Sequence, residues 1–166
     1  MKRFTFYLTL LALFFLLFNQ SLISQTFNQR VKTNLGISIG FPSTPRYTVD
    51  HAFNTQNYSY AGTDYFLMLQ ITALATSQRN MNVHENHHLV VNNFIRSAEG
   101  TLISSKNTFY KGVRCVDFDF SVSYSNFRNN KCRAFVHGNS LITIIYAAAS
   151  PEQATFDRFV NSLKFE

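Results

Sequence analysis

From Val113 to Ala148 the chain changes side every second residue, and it does so over several consecutive segments. Val116, Phe118, Phe120 and Val122 fall on one side of the segment Val113–Tyr124, with Asp117 and Asp119 on the other. The polar stretch Ser125-Asn126-Phe127-Arg128-Asn129-Asn130 then reads as a turn. Lys131–His137 returns, and Gly138-Asn139 makes a tight hairpin into Ser140–Ala148. Such alternation specifies half-buried strands, and Gly-Asn between two of them specifies a hairpin. Adding Thr101–Tyr110, closed by Lys111-Gly112, gives an antiparallel meander with one apolar face to cover.

The segments before the meander supply more sheet and one cover. Leu35, Ile37, Ile39 and Phe41 alternate with small residues and stop at Pro42. Arg46–Phe53 and Tyr58–Ala61 read as short strands. Tyr65–Ala75 contains Phe66-Leu67-Met68-Leu69, an almost continuous apolar run, so this strand is expected to be covered on both faces. A helix is expected over 83–98, capped by Asn82 and ended by Gly100, with Val91, Phe94, Ile95 and Ala98 on its apolar stripe. The last helix is expected to be capped by Ser150, with Pro151 at its first position and Gln153 completing a capping box. Phe156, Phe159, Val160 and Leu163 form its buried face. The fold class is α+β: an antiparallel sheet of about six to seven strands packed with two main helices.

Before all of this, Lys2 and Arg3 precede an apolar run from Phe6 to Phe18, followed by a polar segment ending in Ser24. That is the layout of a secretory signal peptide, 1–24, and the run of about 13 residues is short of the ~20 needed to span a bilayer. The expectation is export to the periplasm or outside the cell with no retained transmembrane helix. The remaining residues, 25–166, suit a single domain. Formal charge is +6, and loss of Lys2 and Arg3 would leave about +4. An excess this small, on an exported chain, is read as a solvated surface; a nucleic-acid partner is not expected. The composition points to a bacterial source.

Cys115 and Cys132 would meet an oxidising compartment, which favours a disulfide. Strand register opposes it. A turn centred near residues 126–127 sets Cys132 opposite Ser121, six residues from Cys115, about 20 Å at 3.3 Å per residue. A disulfide needs Cα atoms within about 7 Å.

Two short motifs suggest enzymes. His84-Glu85-Asn86-His87-His88 spells H-E-x-x-H, in which two histidines on one helix face hold zinc and the glutamate serves as base. The extended pattern would need Gly at 91 and His at 94, where this chain has Val91 and Phe94. Gly36-Ile37-Ser38-Ile39-Gly40 spells G-x-S-x-G, and Ser38, Asp117 and His137 follow in hydrolase order. That motif needs a sharp strand-to-helix turn, and Ser38 lies within an alternating strand. Both are read as chance matches, and no catalytic residue is assigned. Asp117 and Asp119 are read as ladder partners of basic residues across the hairpin, with Arg114, Arg128, Lys131 and Arg133 available.

Three stretches carry a family resemblance: Leu35-Gly36-Ile37-Ser38-Ile39-Gly40-Phe41-Pro42 at the opening strand, Glu99-Gly100-Thr101-Leu102-Ile103-Ser104 at the helix exit, and Phe159-Val160-Asn161-Ser162-Leu163-Lys164-Phe165 at the close. Together they resemble the PsbP-like superfamily over about Thr33–Glu166. The resemblance implies a sheet sandwiched by helices and a non-catalytic accessory role, binding a larger protein partner. The functional expectation is an exported accessory protein, without cofactor, that docks a partner in the cell envelope. Tyr124, Phe127 and Arg128 in the meander turn are its candidate contact residues. The alternative is a zinc-binding protein using His84 and His88.

Overall fold

The computed structural model describes residues 26–166; the expected signal segment 1–24 lies outside them. The strands, in chain order, are β1 (Gln29–Lys32), β2 (Ile37–Phe41), β3 (Arg46–Asp50), β4 (Thr55–Ala61) and β5 (Tyr65–Ala73), then β6 (Thr101–Tyr110), β7 (Val113–Ser121), β8 (Asn129–His137), β9 (Ser140–Ala148) and β10 (Lys164–Phe165). Helix α1 (His87–Ser97) joins β5 to β6, and α2 (Gln153–Asn161) joins β9 to β10. Seven strands form one antiparallel sheet in the order β3-β4-β5-β9-β8-β7-β6, and β1-β2-β10 form a second. The α+β expectation stands, with the three-stranded sheet added to it.

Each face of the large sheet has its own cover. One face meets the small sheet and α2 through Ile39, Phe41, Leu67, Leu69, Phe135, Ile144, Phe159 and Leu163, all fully buried. The other meets α1 through Val90, Val91, Val116, Phe118 and Phe120. The large sheet thus sends alternate residues into two cores, as a period of two requires. Strand β5 departs from the sequence expectation. Leu67, Leu69 and Ile71 are buried, but Phe66, Met68 and Gln70 are only half-buried, so its second face is incompletely covered.

The closing motif has a physical account. Phe159 lies edge-on to Phe41, ring centres 5.3 Å apart. Ser162 Oγ accepts the Gly40 N–H at 3.0 Å, and Lys164–Phe165 pair with Ser38–Ile37. A side chain at position 40 would strike the Phe27 carbonyl oxygen at 2.4 Å, so the chain passes there only as glycine.

Helix boundaries moved. Helix α1 begins at His87, because Asn82 spends its side chain on the His84 N–H and on Glu85, holding 83–86 as turns. At its exit Glu99 takes the left-handed conformation (φ 49°) and the Gly100 N–H bonds Ile95 O, a Schellman closure. Gly100 is needed for a different reason: a Cβ there would meet the Phe120 ring at 2.8 Å. Helix α2 starts at Gln153 with Glu152 as its cap residue, and neither Ser150 nor Gln153 makes the expected capping bonds.

The cysteines are free. The β7–β8 turn is centred on Ser125, so Cys115 faces Phe135 and Cys132 faces Phe118. The expected register was therefore off by three pairs. The two thiols are three residues apart along the ladder, about 10 Å, and point into opposite cores.

Candidate functional site

The histidine cluster is built from the α1 entry and the edge strand β6. His84 lies in the turn before the helix, so His84 and His88 do not share a helical face. His84 Nε2–H donates to both the Thr108 carbonyl at 2.8 Å and the Cys115 carbonyl at 3.0 Å. Its ring also stands edge-on to Phe109. His87 uses both nitrogens, Nδ1–H donating to Asn107 Oδ1 at 2.8 Å and Nε2 accepting from Ser105 Oγ at 2.7 Å. His88 is exposed. Glu85 accepts from Asn82 Nδ2. These bonds pin the helix entry onto β6. Among the described residues, no group of three or more His, Cys, Asp or Glu side chains stands together as a metal cage would.

Ser38, Asp117 and His137 do not converge. Ser38 is fully buried in β2 and accepts from Arg30 Nη1 at 3.0 Å. His137 Nε2–H donates to the Leu35 carbonyl. Asp117 takes a two-pronged bond from Arg133, at 2.7 and 2.8 Å, and Asp119 bonds Lys131 at 3.0 Å. These are directly opposed ladder positions on β7 and β8, so the paired acids are cross-strand partners. The Arg133 guanidinium also lies over the rings of Tyr110 and Phe156, tying the ladder to α2.

The turn between β7 and β8 stands at one end of the sandwich. Tyr124 is 68% exposed, and its hydroxyl donates to the Ala98 carbonyl at the end of α1. Arg128 is exposed and Phe127 half-buried. Ser125 Oγ accepts the Phe127 N–H at 3.0 Å, which sets the tip of the turn. Phe127 forms part of the wall of an open cleft of about 1080 Å³, opposite Tyr65, Tyr146, Glu152 and Arg158. Burial, reinforced by neighbouring Tyr60, raises the Tyr65 phenol above its ordinary range, so it remains a neutral hydroxyl at physiological pH. Tyr65, Tyr146, Glu152 and Arg158 carry no sequence signal as site residues. The first two occupy ordinary strand positions, and the others lie at a helix entry and on its outer face.

A second cleft, about 580 Å³, runs beside α1 over β4 and β5 on the opposite face.

No protein-family model matches the chain, and no curated protein matches it. Among solved structures, the chain is similar to the solution structure of cyanobacterial PsbP (CyanoP) from Synechocystis sp. PCC 6803, with a TM-score of 0.60 and 13% identity over 83% of this chain and 92% of that one. The chain has the PsbP-like fold. Of the three stretches that suggested it, the opening and closing ones build β2, the end of α2 and β10 in the cover of the larger core, and Glu99–Ser104 forms the exit of α1 into β6. Among the described residues of the PsbP-like body, no helix is long and apolar enough to cross a membrane.

Proposed function

We propose that this chain is an exported, non-catalytic accessory protein that docks a protein partner in the cell envelope, using the β7–β8 turn and the cleft beside it. The carrying observation is the turn itself. It presents an exposed tyrosine and an exposed arginine, and Phe127 between them in sequence forms part of the wall of the 1080 Å³ cleft. Tyrosine and arginine beside a pocket are the residue types that dominate binding energy at protein interfaces. The signal-like segment 1–24 supports export, and the role implied by the PsbP-like resemblance agrees with docking. The zinc alternative at His84 and His88 is less favoured, because His84 Nε2 is already engaged by two backbone carbonyls.

The test is capture from the native envelope with the parent chain and with Phe127→Ser/Arg128→Glu. One partner retained by the parent and lost by the variant is expected. Recovery of the chain alone, or equal retention by both, rejects the reading. Zinc measured after metal-free refolding, with His84→Ala/His88→Ala as control, tests the alternative; stoichiometric zinc in the parent that the variant lacks would favour it.

A further inference from the structure

Helix α1 covers its face of the sheet from one side only. Val90 and Val91 are buried in the core beneath the helix, and Phe94 stands edge-on to Phe118 and Phe120 of β7, while Leu89, Val90, Phe94 and Ala98 also border an open cleft over β4 and β5. What remains is the 580 Å³ cleft along the length of the helix. Protein interiors hold few voids larger than a water molecule, whereas small-molecule sites run from about 300 to 1,000 Å³. The cleft is therefore a site-sized space and not a packing gap.

Its chemistry is two-sided. The helix wall is mostly apolar, with Leu89 46% exposed; its polar members Asn93 and Ser97 are bonded within the helix, and Met68 and Met81 supply adaptable thioethers. The strand floor is polar but largely self-satisfied. Thr55 and Thr72 bond each other across the ladder at 3.0 Å. Asp50, the one charged side chain in the lining, already accepts the Ala52 and Phe53 N–H groups. No lining cation offers itself to a carboxylate or phosphate. One buried polar atom is left over. The carboxamide oxygen of Asn57, a floor residue, is buried and has no hydrogen-bond partner among the described residues. Native structures leave few such atoms, and each calls for a donor. Asn57 lines the cleft, and the terminal torsion of Asn is broad, so its amide plane is free to turn to meet a donor.

We propose that the cleft between α1 and strands β4 and β5 binds a small, uncharged, largely apolar molecule that carries one N–H or O–H donor for Asn57. The apolar wall takes the body of the ligand, and the orphan acceptor selects its head. This cleft shares no lining residue with the 1080 Å³ cleft on the other face, so its test does not depend on the docking reading.

Three naphthalene probes of the same frame test it, titrated into the full chain and followed by backbone amide and methyl NMR: 1-naphthol, its methyl ether, and 1-naphthoate. Saturable shifts centred on Asn57, Met68, Leu89 and Phe94 are expected with naphthol. The ether, which has no donor, should bind the same residues about tenfold more weakly, the worth of one buried hydrogen bond. Naphthoate, an anion without a cation to meet, should bind weakest. In Asn57→Leu the ether should keep its affinity and the naphthol advantage should vanish. No shifts in the cleft with naphthol, equal binding of alcohol and ether by the parent, or preference for the carboxylate would each overturn the proposal. The parent comparison decides the matter even if the Asn57 variant does not fold.

Discussion

The two faces of the seven-stranded sheet differ in how they are closed. One is covered by a second sheet and a helix together, with Phe27 and Phe41 packed against Phe159 at the seam and Arg30, Ser38 and Ser162 bonded beneath it. The other carries one eleven-residue helix, which cannot span seven strands and leaves a cleft at its flank. The same alternating strands feed both cores. Cover, and not strand sequence, therefore decides where each face is left open: at the ends of β5 and β9 on the first, and along the flank of α1 on the second.

Large-to-small substitution should break this comparison most visibly if it is wrong. Phe159→Ala should cost about 4 kcal/mol and Phe118→Ala about 3, because Phe94 beside Phe118 borders the cleft and can shift into the space. Urea unfolding of both variants measures the difference; equal or reversed costs would mean the faces are equally rigid. The cysteines sharpen it, one in each core. Burial pushes the Cys115 thiol up to about 11 and the Cys132 thiol well above its ordinary value. From thiolate fraction alone, Cys115 in the folded chain should react with a thiol reagent at about pH 8 roughly a hundredfold more slowly than in the unfolded chain. Since the folded state holds the proton more tightly, the stability this gives is full below the ordinary thiol value near 9 and is lost as pH climbs through about 11. In urea below the transition, Cys132 should label before Cys115, because α1 lifts more easily than the double cover. The smallest effect belongs to the turn. Tyr124→Phe removes an exposed bond to Ala98 and should cost about 0.5 kcal/mol, with faster amide exchange at Gly100 as its local sign.

Much of the fold was legible because it rests on local periodicity. The strands Thr101–Tyr110 and Ser140–Ala148 were read to the residue, and Phe156, Phe159, Val160 and Leu163 are all buried as expected, with Thr155 added to them. Strands β1 and β10 were not read. Gln-Arg-Val-Lys and Lys-Phe are too short and polar to show a period, and their common partner β2 is far away in sequence from β10. The α1 entry was misjudged because Asn82 bonds a turn instead of the helix. The site was less legible still. Of Tyr124, Phe127 and Arg128 only Phe127 lines a cleft, and that cleft is made where the ends of β5, β9 and α2 approach, so no one segment announces it. Asn57 is invisible for the same reason: an atom lacking a partner is a property of the assembled neighbourhood.

Strand β2 sits between the first strand of the described chain and the last, so the lid over the larger core needs residues 29–41 and 159–165 at once. Closing so long a loop is slow relative to local hairpins. A polypeptide emerging from its amino end would consequently carry an unfinished body until nearly all of it had been delivered. That is the condition in which an unfolded thread can still be passed through a narrow pore.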